Sequence, residues 1–463
     1  MKRRDRNQLS YRLTLRIVKM LNVLLIVLPV VIGWRVFYKD HVGIWSESVT
    51  LLVAAVYVLL YSTYGRVYDS FLVSVYPVSE MIYSQSLALL ISDGFLYCIF
   101  VLMAHRLIAV LPLLVISLAQ ILFAVIWCVV VHFWYFRTYP PRKTVVVYGR
   151  KRKIERLVEE YRMQRKFEVT RVETSDDCIN GEYRCLEDAE VVFLCGVNSH
   201  DRNTILKHCV EKGITVYLLP RVGDTIMSGA KPMHLFHMPF LRVGRYAPSP
   251  EYVVIKRVFD IVVSGLALLI LSPLMIIVAI AIKVSDGGPV FYRQTRLTKD
   301  GKEFEIIKFR SMRQDAEKDG VARLSSGEND SRITPVGRII RKVRLDELPQ
   351  LINIFTGQMS IVGPRPERPE IARAYEQELP EFALRLQAKA GLTGYAQVYG
   401  KYNTTPYDKL QMDLMYIAHP SFLEDMRIIF ATIKILFMAE SVEGVGADAI
   451  TAMEEEEEEL VEV

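Results

Sequence analysis

Two acids stand side by side in the last third of the chain, Asp346 and Glu347, within the string GRIIRKVRLDELPQLINIFTGQMS over residues 337–360. Arg338, Arg341 and Lys342 precede them at i, i+3 and i+4, which puts three bases on one helical face. Arg344 comes just before the pair. Pro349 lies where the first turn of a helix tolerates proline, so the spacing predicts the acidic pair at a helix start. Plain capping would explain such a pair, with Asp346 as N-cap and Glu347 favoured by the helix dipole. Its company argues for more. In IVGPRPE, residues 361–367, Arg365 is fixed between Pro364 and Pro366. In GPVFYRQTRLTKDGKEFEIIKFRSM, residues 288–312, Phe304 to Phe309 read as a strand that delivers Lys308 and Arg310. A rigid arginine, a helix N-terminus, further bases and an acidic pair together describe a phosphate site with a metal.

These groups need a scaffold, and composition says where it works. The 463 residues are 51% hydrophobic and 24% charged, too apolar for an ordinary soluble protein and too charged for a bare membrane bundle. Membrane segments joined to soluble domains are expected, and a disordered chain or small disulfide scaffold is excluded. The six cysteines show no CxxC spacing and read as free thiols with no zinc site. The net charge of +5 hides an asymmetry: residues 440–463 carry ten acids and no base, so the remainder is +5 + 10 = +15. A basic body suits anionic lipid, phosphate or nucleic acid, and the acidic end reads as a solvated tail.

Four apolar stretches, at 17–36, 48–65, 81–104 and 107–136, approach the length of a membrane span. Seven bases in 2–19 and eight in 137–156 place both ends of this bundle on the cytoplasmic side. No small-residue cleavage site follows the apolar run at 20–34, so a cleaved leader is not expected. Asp93, inside the third stretch, is either functional or a hydrogen-bonded acid between helices. Next, strands at 144–149, 167–173, 190–195 and 214–219, with helices at 151–165 and 201–212, suggest a parallel, Rossmann-like sheet. RKRK follows Gly149 where a dinucleotide fingerprint needs glycines, so a nicotinamide cofactor is not expected.

A fifth apolar segment, 261–282, has Lys256 and Arg257 before it and Lys283, Arg293 and Arg296 after it. Positive charge on both sides argues that both ends are cytoplasmic. Ser272 and Pro273 fall midway, where proline breaks or kinks a helix and serine can satisfy freed backbone groups. A helix–break–helix hairpin entering and leaving one leaflet, residues 256–283, fits these features; a kinked fifth span is the alternative.

Across 253–437 the chain resembles the polyprenyl-phosphate phosphoglycosyl transferases of the bacterial sugar transferase family. KRVFDIVVSG, the Ser272-Pro273 break, GPVFYRQTR, KFRSM, LDELPQLINI, MSIVGPRP and GLTGYAQV occur in order. The N-terminal spans and α/β unit resemble its long-form members, although the acidic end extends beyond their usual length. Residue patterns and resemblance together give three expected parts: a four-span α-helical bundle (1–140), a Rossmann-like α/β domain (141–235) and a mostly helical catalytic domain with a re-entrant membrane helix (250–440); the acidic segment 441–463, read as disordered from its composition, follows. The resemblance implies transfer of a sugar 1-phosphate from a UDP-sugar to undecaprenyl phosphate with release of UMP, starting capsule, exopolysaccharide or O-antigen assembly at the cytoplasmic face of the bacterial inner membrane. Asp346 matches the family's nucleophile, which forms an aspartyl-phosphosugar. Glu347 matches its Mg²⁺ ligand and Arg365 its phosphate-holding arginine. Lys308, Arg310 and Arg344 are added here as diphosphate or lipid-phosphate contacts.

Membrane lipids are the further partner, nucleic acid is not expected, and a homo-oligomer stays open. Tyr395, Tyr399, Tyr402, Tyr407 and Tyr416, with the amphipathic stretch Phe422 to Phe437, suit a membrane interface or core packing. Two other functions remain in view: an inert regulator of polysaccharide export that binds anionic lipid or glycan, and a nucleotide-sugar-modifying enzyme. The intact acidic pair with Arg365 counts against the first, and the missing glycines against the second.

Overall fold

A computed structural model describes residues 2–42, 46–149, 158, 163–313, 332–400 and 404–436. The expected acidic tail, Tyr402 and nearly all of the basic helix at 151–165 lie outside these residues. The described chain forms two compact units, Met1–Leu219 and Pro220–Val463. Residues 220–235, grouped with the α/β domain on sequence, thus fall in the second unit. There the helix Val222–Ser228 packs on a later helix through Thr225, whose hydroxyl meets Gln411 at 2.6 Å.

The first unit opens with four long helices: α1 (Lys2–Gly33), α2 (Glu47–Val67), α3 (Val78–Ala104) and α4 (Leu111–Thr138). Each contains a segment long and apolar enough to cross a bilayer. Many of their large apolar side chains face outward, and the interior combines apolar groups such as Trp34, Leu89 and Phe100 with polar ones. Asp93 on α3 accepts from Tyr57 of α2 at 2.8 Å and from Ser117 of α4. Gln120 of α4 donates to Tyr57 at 2.7 Å and to the Ile26 carbonyl of α1 at 3.0 Å. Lipid offers no hydrophobic drive between helices, so such bonds and close packing hold a bundle together. Asp93 is therefore the hydrogen-bonded acid between helices.

After α4 the pattern changes to short apolar runs. These form β1 (Arg142–Tyr148), β2 (Phe167–Thr174), β3 (Val191–Cys195) and β4 (Thr215–Leu218), all parallel, in the order β2-β1-β3-β4. The central strands β1 and β3 carry Val145, Val147, Val192 and Leu194, all buried, as a sheet covered on both faces requires. Helix α5 (Ser199–Lys212) supplies Ile205 and Cys209 to the same core. Gly149 ends β1 because a Cβ there would stand 2.6 Å from the Gly196 carbonyl. That glycine serves strand packing.

The second unit is built on a single helix, α6 (Pro250–Asp286), capped by Ser249, whose Oγ accepts from the Tyr252 amide at 3.3 Å. Pro273 lies inside it and does not end it, so the expected helix–break–helix is one continuous helical element. Ser272 Oγ donates to the Leu269 carbonyl at 2.8 Å, in the turn before the proline. Both halves of α6 pack on the same body. Before Pro273, Phe259, Val263 and Leu271 join the core containing Ile354, Met359 and Val362. After it, Val278 and Ile282 pack with Phe309 and Ile340. The other face of α6 bares Leu266, Leu269, Ile270, Ile276, Ile277 and Ile280, each more than half exposed.

Beyond α6 comes an antiparallel hairpin, β5 (Phe291–Leu297) and β6 (Glu303–Phe309). Helix α7 (Pro335–Lys342) and a 3₁₀ turn over Leu345–Glu347 lead to α8 (Gln350–Thr356). The short strands β7 (Ser360–Val362) and β8 (Gly391–Thr393) pair in parallel. Helices α9 (Pro369–Glu378), α10 (Pro406–Ala418) and α11 (Phe422–Leu436) complete the body. Tyr416 is buried, donating to Asp425 at 2.9 Å, so it is a core residue.

Candidate active site

Strand β6 and the 3₁₀ turn bring the predicted groups together. Lys308 Nζ lies 3.0 Å from Glu347 Oε1, and Arg365 donates to the same oxygen at 3.2 Å. Asp346 adjoins them in the turn. The expected N-cap role is not observed: α8 begins three residues after Glu347, its N-cap is Pro349, and no side chain caps it. The acidic pair is held instead by a turn whose entrance is Arg344, in left-handed backbone at φ 53°. A non-glycine residue there is uncommon, and such conformations persist where the surroundings enforce them.

Burial and charge set the protonation of this cluster. Burial alone would raise Glu347, but Lys308 and Arg365 overcome it and hold the carboxyl well below its usual range. Burial raises Asp346, and the negative charge of Glu347 raises it further, against the pull of Lys308 and Arg341. Burial also lowers Lys308, despite the attraction of Glu347. The cleft at this point is lined by Arg296, Lys308, Glu347, Gln350 and Arg365. Cations outnumber acids along its wall, so it suits an anionic ligand.

Of the other predicted residues, Arg344 acts on Glu347 through its charge. Arg310 follows β6 and is almost wholly buried. Ser272 lines a separate apolar groove with Met275, Phe291 and Phe309.

Sequence reasoning missed Arg296 and a second charged cluster. Glu367 receives Lys409 at 3.0 Å, Arg385 at 3.6 Å and Arg296 at 3.9 Å. These three cations overcome burial and hold its carboxyl down at about 2. Glu367 ends the IVGPRPE string, which was a usable signal. Arg385 and Lys409 come from later segments with no motif to mark them.

The pair Asp346-Glu347 offers hard carboxylate oxygens, and no third His, Cys, Asp or Glu joins it among the described residues. A full protein cage of the zinc or calcium kind does not fit. Magnesium fits, because it keeps waters and binds through one or two carboxylates plus substrate phosphates.

Fold and site together define a membrane-associated protein with a cationic, carboxylate-bearing cleft in its C-terminal half. The chain belongs to the bacterial sugar transferase family, whose pattern matches residues 251–439. It is 42% identical over 189 residues to the exopolysaccharide production protein PSS of Rhizobium leguminosarum, covering 94% of that protein and 39% of this chain. It is 38% identical over 232 residues to the UDP-N-acetylgalactosamine-undecaprenyl-phosphate N-acetylgalactosaminephosphotransferase of Aeromonas hydrophila, half of this chain. It is 40% identical over 212 residues, 45% of this chain, to the UDP-glucose:undecaprenyl-phosphate glucose-1-phosphate transferase of Escherichia coli. The matches cover 54% and 44% of these last two proteins, about half their length.

Proposed function

We propose that this protein transfers a sugar 1-phosphate from a UDP-sugar to undecaprenyl phosphate, releasing UMP, at the start of polysaccharide assembly. The observation that carries this reading is Glu347 Oε1, shared by Lys308 and Arg365 beside Asp346. In the proposed mechanism an Asp346 carboxylate oxygen attacks the sugar-bearing phosphorus. The bond to the UMP oxygen breaks, and the phosphosugar stays on Asp346 as an acyl phosphate. A lipid-phosphate oxygen then attacks that phosphorus, expels Asp346 and forms the lipid diphosphosugar. Lys308 and Arg365 neutralise phosphate charge, which a carboxylate nucleophile could not otherwise approach. Glu347, beside Asp346, would hold Mg²⁺, which when bound would offset the diphosphate charge.

The membrane arrangement is part of the proposal. Helix α6 is read as re-entrant because both of its halves pack on one body while its outer face is bare and apolar. A helix crossing the bilayer would carry one end away from that body. The four earlier helices are read as spans, residues 141–219 as a Rossmann-like unit without a dinucleotide site, and the catalytic unit as cytoplasmic. Purified protein incubated with UDP-glucose, UDP-galactose or UDP-N-acetylgalactosamine, with and without undecaprenyl phosphate, tests the reaction. UMP release with one of them, and a labelled protein adduct before lipid is added, are expected. No UMP from any UDP-sugar overturns the proposal.

A further inference from the structure

Arg365 lines the cleft. Its side chain is 41% exposed and makes a 3.2 Å ion pair to Glu347. Its backbone is held as well, and the carbonyls of residues 364–367 are all occupied. Pro364 O accepts from Gly391 N at 2.9 Å, and Arg365 O accepts from Arg385 NH2 at 2.9 Å. Pro366 O accepts from Arg296 NH1 at 3.1 Å, and Glu367 O accepts from Leu297 N at 3.0 Å. Prolines on either side fix φ. No peptide plane in this segment can turn without losing a bond.

Of these donors, Arg385 binds the carbonyl of Arg365 itself. Its side chain is 2% exposed, and a buried charge is tolerated only when paired and hydrogen-bonded. Arg385 Nε donates to Asp413 Oδ2 at 2.7 Å, its NH2 lies 2.6 Å from the same oxygen, and its NH1 lies 3.6 Å from Glu367 Oε1. A guanidinium can serve two carboxylates and a carbonyl in fixed directions; a lysine ammonium cannot reproduce that fork. We propose that Arg385, anchored on Asp413 and Glu367, is a positioning residue that fixes the backbone of Arg365 and so aims its guanidinium at the phosphate cleft. This rests on the reading of Arg365 as a phosphate contact.

A double-mutant cycle on the full-length enzyme tests it, with kcat and KM for the UDP-sugar measured separately and thermal unfolding followed in parallel. Arg385→Lys keeps the charge and loses the fork, and is expected to cost about 10²-fold in kcat/KM, as misplacement of a reacting group does. In an Arg365→Ala background the same change should cost less than about twofold, because the residue it acts through is gone. Equal losses in both backgrounds overturn the positioning role and leave Arg385 as a stabiliser only. Full activity of Arg365→Ala overturns instead the reading of Arg365 as a phosphate contact. If Arg385→Lys does not fold, Asp413→Asn, which loosens Arg385 without removing it, runs the same cycle with the same criteria.

Discussion

At the scale of the residue, two neighbouring carboxyls are shifted in opposite directions because their surroundings differ. Glu347 is kept anionic by Lys308 and Arg365, with Arg344 adding to them, whereas Asp346 is pushed the other way by burial and by Glu347 itself. Asp346→Asn should abolish turnover and the labelled adduct together, since an amide cannot attack as an anion; a loss of about 10⁴-fold corresponds to roughly 5.5 kcal/mol of transition-state stabilisation. Adduct formation by that variant would sink the covalent route. Glu347→Gln should lose activity while shifting the Mg²⁺ dependence to higher concentration, read from a metal titration. Glu367 gives a pH prediction. Its carboxyl is lowered from 4.5 to about 2, so its contribution to stability is present above 4.5 and disappears as pH falls toward 2. By linkage this amounts to on the order of 3 kcal/mol. Thermal unfolding against pH should show a steeper acid limb in the native chain than in Glu367→Gln.

At the scale of the element, the glycines of the two loops at the cleft are matters of space. A Cβ at Gly363 would collide with the Lys389 carbonyl, and one at Gly391 or Gly394 would collide with Gly363 itself. Gly363→Ala should force β7 and β8 apart, and a large fall in melting temperature with loss of UMP release is expected; native stability would show that the backbones need not meet. In the first unit, Tyr57→Phe removes the hydroxyl bonded to Asp93 and Gln120. A hydrogen bond between membrane helices is worth about 0.6 kcal/mol on average. The variant should therefore be mildly less stable in unfolding measurements in detergent.

At the scale of the whole molecule, topology decides whether the chemistry can meet its substrates. Under the proposed reaction the donor is a soluble nucleotide sugar, so the C-terminal unit must face the compartment that holds it. Cysteines introduced at Pro250 and Asp300 report the two ends of α6 and its following hairpin. Neither should react with an impermeant thiol reagent on intact cells, and both should react in opened vesicles. Labelling at 300 from outside would restore the kinked fifth span.

The sequence alone determined the main elements and singled out the residues that the fold gathers around Glu347. Apolar runs of span length set α1 to α4, because a segment that long and uncharged has few other places to go. Short apolar runs between polar turns set β1 to β4, and the ordered motifs around Asp346, Glu347 and Arg365 marked the cleft. Three matters waited for the tertiary structure. Asp346 proved to sit in a 3₁₀ turn because Arg344 adopts left-handed backbone, which no propensity at an arginine signals. Pro273 proved to lie inside α6, whose helical backbone pattern runs through it while both halves pack on one body. Arg385, Asp413 and Lys409 joined Glu367 only through folding, since contacts between residues so far apart in sequence are set by packing and leave no local pattern to read.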